Sequence, residues 1–329
     1  MTQALLWPWQ TSFYERLRQA HSQRPAHALL LQTAAGHGGE QLARALAMQQ
    51  LCRQDEALAC GHCRSCQLFL AGTHPDFLTL LPEEAEAPIK VDAVRQVVGF
   101  LQQRAQFGGW RVVLIDPAER MNVQAANALL KTLEEPGEQV LLLLLSERPS
   151  DLLATVRSRC QTWILPRASG EQAQEWLQAQ GGGEWTTIAL QMARAAPLRG
   201  QALLAADWPR RRSILWTDVQ ALHQGRRDAI AVAATWKSWG DPLTLSDVLA
   251  QWVEDLMRCQ RGLTQDLHHP DLVADYDSML VSIQAERLHA FWQRLIAVRR
   301  DLAGHLQLQL LLETLALDIA RWSRRGGLR

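Results

Sequence analysis

The chain reads as an α/β protein, a parallel sheet with helices on both faces, followed by an all-helical part. Three observations predict this. Five short apolar runs alternate with amphipathic stretches over the first 165 residues. The runs are continuous rather than alternating, as strands buried on both faces are. After about Pro166 strand signals stop and long helical patterns take over.

The first run, Ala28–Gln32, leads through Thr33-Ala34-Ala35-Gly36-His37-Gly38-Gly39-Glu40 into a helical pattern over residues 42–47. Strand, glycine turn and helix is the layout of a phosphate loop. In a working G-x-x-x-x-G-K-[ST] loop, backbone amides cradle phosphates, the Lys meets the β/γ-phosphates and the hydroxyl meets Mg²⁺. Here Gly36 and Gly38 remain, Thr33 replaces the first Gly, Gly39 the Lys, and Glu40 the hydroxyl. A carboxylate where phosphate charge must be neutralised is repulsive. The other reading is an ordinary glycine-containing β–α turn.

Cys52, Cys60, Cys63 and Cys66 follow, spaced C-x7-C-x2-C-x2-C. Four thiolates at this spacing suit a tetrahedral Zn²⁺, and with every position filled by sulfur the site is structural. His62 is a weaker substitute ligand. Cys160 and Cys259 stand apart and read as packing residues.

Residues 77–81 and 112–116 are the next two strands, with an amphipathic helix over 91–104 between them. The second of these strands ends in Asp116, where nucleotidases position Mg²⁺. The Glu expected next, which polarises water, is replaced by Pro117. An Asp at a strand end is commonplace on its own. Val123–Glu134 is an amphipathic helix stopped by Pro136, and residues 140–145 and 162–165 complete the strands. On the loop between these last strands lie Ser158, Arg159 and Cys160. An Arg so placed can reach a phosphate on another subunit. A surface Arg in a local ion pair is the alternative.

Ser169 and Gln172 form a capping box that opens the helical part. Short helices are expected over 185–193 and 198–206, then a boundary at Asp207-Trp208-Pro209. Long helices follow, broken at Gly240-Asp241-Pro242 and His268-His269-Pro270. The last, over residues 306–324, carries Leu306, Leu310, Leu311, Leu315, Leu317 and Ile319. That stripe suits a bundle core or a surface for neighbouring helices. The scattered Trp residues read as core packing.

Lys plus Arg and Asp plus Glu balance at 34 each, which argues against wrapping of DNA or a membrane surface. No apolar run reaches the ~18–20 residues of a membrane span. The start, Met1 to Trp9, lacks a basic leader region, so a cytoplasmic protein is expected. Arg210-Arg211-Arg212 and Arg324-Arg325 are the compact basic runs and read as solvated helix ends.

Three stretches together carry a resemblance: the four-Cys module, Asn127-Ala128-Leu129-Leu130-Lys131-Thr132-Leu133-Glu134-Glu135-Pro136, and Ser158-Arg159-Cys160. With them the chain resembles the delta-prime family of bacterial DNA polymerase III clamp-loader subunits, which are AAA+ proteins. The resemblance covers about the first 165 residues. It implies a RecA-like AAA+ domain over residues 1–166 with an inserted zinc module at about 52–66. A helical lid over 167–207 and an all-α collar over 208–329 would follow. It implies a non-catalytic stator in a heteropentamer with the gamma/tau ATPase subunits and delta, loading the sliding clamp on primer-template DNA. Arg159 would act in trans as an arginine finger, with Ser158 and Cys160 shaping its loop. One structural Zn²⁺ and no intrinsic ATP hydrolysis are expected, with nucleotidyltransfer only by association with the polymerase. Arg199 lies near the second-sensor position of such proteins. Two alternatives remain: an ATP-hydrolysing AAA+ loader subunit with a variant loop, and a zinc-containing DNA-binding protein.

Overall fold

The computed structural model describes residues 6–54, 58–84, 87–265, 267–303 and 307–322. Leu306, the Arg324-Arg325 pair and residues 1–5 of the start lie outside the described residues. The chain divides into two compact units, Met1–Ala173 and Gln174–Arg329.

The first unit holds α1 (Thr11–Gln23), β1 (Ala28–Gln32), α2 (Gly39–Leu51), α3 (Arg64–Leu70), β2 (Phe77–Leu80), α4 (Val91–Leu101) and β3 (Arg111–Ile115). It continues with α5 (Val123–Glu134), β4 (Val140–Ser146), α6 (Ala154–Arg157) and β5 (Gln161–Ile164). The strands form one sheet in the order β2-β3-β4-β1-β5, and every pairing is parallel.

The continuous apolar runs serve two cores at once. Leu29, Leu31, Val112, Leu114, Leu141 and Leu143 face α1, α2 and α3. Their neighbours Leu30, Val113, Ile115, Leu142 and Leu144 face α4 and α5. Alternation of side chains across a strand makes this division. It explains why β1, β3 and β4 needed no polar face. Outer β5 differs, with Gln161, Thr162 and Ile164 exposed. Because β1 lies between β4 and β5, the turn after β1 opens at the carboxyl edge of the sheet, where such folds bind ligands.

The capping box is formed: Ser169 N–H donates to Gln172 Oε1 at 3.0 Å and Gln172 N–H to Ser169 Oγ at 3.1 Å. It starts α7 (Gly170–Ala179).

The second unit is helical: α8 (Thr186–Met192), α9 (Pro197–Ala205), α10 (Trp208–His223), α11 (Ala229–Ser238), α12 (Pro242–Cys259), α13 (Val273–Leu280), α14 (Ala285–Ala303) and α15 (Leu308–Ala320). One core runs through it, with Trp208, Trp236 and Trp252 fully buried. The breaks are built as expected. Gly240 takes φ +70°, the Asp241 carboxylate accepts from Thr244 N–H, and Pro242 opens α12. On α15 the Leu stripe is shared: Leu311, Leu315 and Ile319 are buried, while Leu310 and Leu317 are exposed.

Arg212 corrects the reading of Arg210-Arg211-Arg212 as a solvated end. It is buried, grips Asp271 with two bonds of 2.8 and 2.9 Å, and donates to His269 Nδ1. Asp255 accepts from the His268 and His269 amides, fastening the same loop to α12. Among the described residues no helix is long and apolar enough to cross a membrane.

Candidate functional site

Two places in the first unit bear on function: the turn after β1 and the cysteine module inserted after α2. A third, the loop before β5, carries Arg159.

The turn has the backbone of a phosphate loop but is occupied by its own chain. Gly36 and Gly38 both take left-handed φ, +73° and +84°, which only glycine adopts without strain. Gly39 starts α2 and is buried. A Cβ there would lie 2.7 Å from Thr33 Oγ1 and 2.8 Å from Thr33 Cβ. Thr33 thus fills the space that a side chain at position 39 would need.

Over the loop lies Trp7-Pro8-Trp9-Gln10. A Cβ on Gly38 would clash with Trp7 Cδ1 and Nε1. Gln10 is 1% exposed, and its Nε2 donates to His37 O at 3.1 Å and Gly38 O at 2.6 Å. Trp9 Nε1 also donates to His37 O, at 2.9 Å. The His37 amide closes a turn on Ala34 O. These bonds hold the loop carbonyls, and the Ala34 turn takes the His37 amide, so the loop is fixed in shape by its own chain. The sequence reading missed Trp7, Trp9 and Gln10; a Trp-Pro-Trp-Gln run just before the first helix was their one signal.

Asp116, at the end of β3, sits in negative surroundings. Burial, then the charges of Glu40, Glu147 and Glu119, push its carboxyl up to about 6. Glu119 in turn accepts from the Glu147 and Arg148 amides. Pro117 follows with no group that could orient water. Negative charge gathers where a phosphate would need positive charge.

The four cysteines come together. Cys52 ends α2, Cys63 caps α3 and Cys66 lies on it. Their sulfurs all lie within 4.8 Å of one another, with Cys60 and Cys66 3.9 Å apart. Tetrahedral ligation at ~2.3 Å per sulfur needs sulfurs about 3.8 Å apart. Backbone amides point inward: Cys60 N–H donates to Cys52 Sγ, Cys63 N–H to Cys60 Sγ, and Cys66 N–H to Cys63 Sγ. Burial raises the Cys52 and Cys66 thiols. At Cys63 burial acts the same way, but the Arg53 and Cys66 amides and neighbouring thiols outweigh it and bring the thiol to about 6. The set fits a soft metal cation with no open position. His62 turns away and bonds Cys60 O.

A chain of bonds ties this module to the sheet. Ser65 Oγ donates to Leu51 O and lies 2.8 Å from His74 Nε2. His74 Nδ1 accepts from Asp76 N–H, and the Asp76 carboxylate accepts the Gln106 and Phe107 amides. Arg111 faces Asp76 at 3.6 Å. None of these linking residues was singled out from sequence.

Arg159 follows α6. Its Nη2 meets Glu134 Oε1 at 2.6 Å, and its Nη1 donates to Thr155 O at 2.9 Å. Ser158 Oγ donates to Thr155 O, and Cys160 Sγ to Val156 O, with burial raising that thiol to about 12. Ser158 and Cys160 therefore shape the turn. In the second unit, Arg199 pairs with Asp247 at 2.5 Å.

Comparison with known proteins gives the family. The sequence model of a family described as DNA polymerase III, delta subunit matches residues 9–169. Another, described as DNA polymerase III, delta subunit, C terminal, matches residues 206–321. DNA polymerase III subunit delta' of Pseudomonas aeruginosa is 42% identical over 267 residues, 79% of each chain. That of Escherichia coli K12 is 33% identical over 329 residues, 97% of each chain. That of Yersinia pestis is 40% identical over 233 residues, 68% of this chain and 66% of the other.

Proposed function

The chain belongs to the family of DNA polymerase III delta-prime subunits, and from that premise we propose that it is the fixed, non-hydrolysing member of a clamp-loading ring in the cytoplasm. The occupied phosphate loop carries the reading. Thr33 fills the side-chain space at Gly39, Trp7 and Gln10 cover Gly38, and carboxylates surround Asp116. Such a loop can keep its shape while neighbouring subunits bind and release ATP.

The neighbours in this reading are the gamma/tau ATPase subunits and delta, with the sliding clamp and primer-template DNA engaged through the assembled ring. Arg159 projects to the ATP of an adjacent ATPase subunit and stabilises charge on its γ-phosphate, as arginine fingers do. Residues 1–166 form the AAA+ domain, 167–207 the lid and 208–329 the collar. Exposed Leu310 and Leu317 on α15 offer the collar apolar surface for neighbouring helices. The four cysteines hold one Zn²⁺, whose chemistry is to lock the module's fold.

Four measurements on purified protein test this. The isolated chain should neither hydrolyse ATP nor bind a fluorescent ATP analogue, and it should co-elute with the ATPase subunits and raise their turnover. Steady hydrolysis by contaminant-free chain would overturn the reading.

A further inference from the structure

The two stretches that most mark this sequence, the helix ending Leu133-Glu134-Glu135-Pro136 and Ser158-Arg159-Cys160, meet at one ion pair. Glu134 ends α5, and its Oε1 lies 2.6 Å from Arg159 Nη2. We propose that Glu134 is the resting counter-ion of Arg159, exchanged for phosphate when ATP is bound on the adjacent subunit. The proposal rests on Arg159 being the finger.

The geometry of the guanidinium carries the argument. Nη1 is anchored along its own turn, to Thr155 O and Ser158 Oγ. The opposite edge, Nε with Nη2, is the one that takes two phosphate oxygens side by side. Nη2 is held by Glu134. Nε is buried and has no hydrogen-bond partner among the described residues. The edge that would grip phosphate is thus half occupied by a carboxylate and turned from solvent. To grip phosphate, Arg159 must leave Glu134.

Leaving is easy, as a finger requires. Arg159 is 34% and Glu134 51% exposed at the side chain, and pairs of this kind are weak. Glu134 acts through Arg159 and is a positioning residue. It keeps the guanidinium from other anions and sets a small threshold that a correctly placed γ-phosphate exceeds.

Five rings test it: those carrying the natural chain, Glu134→Gln, Glu134→Ala, Arg159→Ala, or Glu134→Gln with Arg159→Ala. Clamp- and DNA-stimulated turnover is titrated with ATP. Glu134→Gln keeps the shape and removes the charge. The apparent KM should fall about two- to five-fold, the range an exposed pair supports, with kcat within two-fold. On the Arg159→Ala background the same substitution should do nothing, and Glu134→Ala should repeat the shift. A fall in kcat would overturn the proposal by making Glu134 an aid to the active pose. So would a KM shift that persists without Arg159, or no shift where Arg159→Ala itself slows turnover. If Arg159→Ala leaves turnover intact in an assembled ring, the finger reading fails first, and that result is separately visible.

Discussion

Gly39→Ala probes the blocked loop directly. The new Cβ would lie 2.7 Å from Thr33 Oγ1, 2.8 Å from Thr33 Cβ and 2.9 Å from Thr33 Cγ2. Unstrained carbon contacts are ~3.5–4.0 Å, so the overlap is close to an ångström. Turning Thr33 about χ1 moves Oγ1 and Cγ2 but leaves its Cβ in place, so backbone must shift. Overpacking of this kind costs ~1–3 kcal/mol. The helix preference of Ala over Gly returns ~1 kcal/mol or less. A net loss of about 1–2 kcal/mol lowers the unfolding midpoint of a unit this size by roughly 2–8 °C. Thr33→Gly removes the atoms in the way, so Gly39→Ala should cost much less on that background. Thermal and urea unfolding of the four forms closes the cycle, with a coupling of about 1 kcal/mol or more. A Gly39→Ala protein as stable as the natural one would refute the reasoning, as would an equal cost with and without Thr33. A Lys at 39 inherits the same overlap, so restoring it alone does not restore the loop.

The other expectations follow from neighbouring features. Asp116 titrates at about 6 rather than 3.8. An acid raised in this way favours the fold when protonated, so its support is full below the ordinary value and is lost as pH rises through about 6. Asp116→Asn should therefore add about 1–2 kcal/mol near neutral pH, after discounting for partial exposure, and nothing below about pH 4; equal gains at both would contradict this. Metal analysis should give one equivalent of Zn²⁺, and its removal should speed proteolysis at residues 106–107, which Asp76 ties to the module; well under one equivalent would count against the site. Arg212→Lys should lose about 1–2 kcal/mol in urea unfolding, because one ammonium cannot keep the grip on both Asp271, held by Nη2, and His269 Nδ1, held by Nε. A loss under about 0.5 kcal/mol, the size of an ordinary surface change, would remove that grip from the account.

Local chemistry was legible in the sequence. The five strands fall within one residue of their apolar runs, most plainly β1, β3 and β4, which are buried on both faces, and the amphipathic Val123–Glu134 matches in full. The cysteine module was readable because its four cysteines lie within fifteen residues of chain, from Cys52 to Cys66. Partners distant in sequence were not. Nothing near Arg212 announces Asp271, 59 residues on. Glu134 was visible as a motif residue but not as the partner of Arg159. Trp7 and Gln10 act on a loop 27 or more residues away, and their role emerges only when β1 brings that loop beside the start of α1.

The central claim is that this chain holds no working ATP site and acts on a neighbour's. Clamp- and primed-DNA-stimulated turnover by rings assembled with the natural chain or with Arg159→Ala tests it most directly. The account predicts intact assembly and turnover reduced at least several-fold. Unchanged turnover in an intact ring would contradict it, leaving Arg159 as a surface residue paired with Glu134.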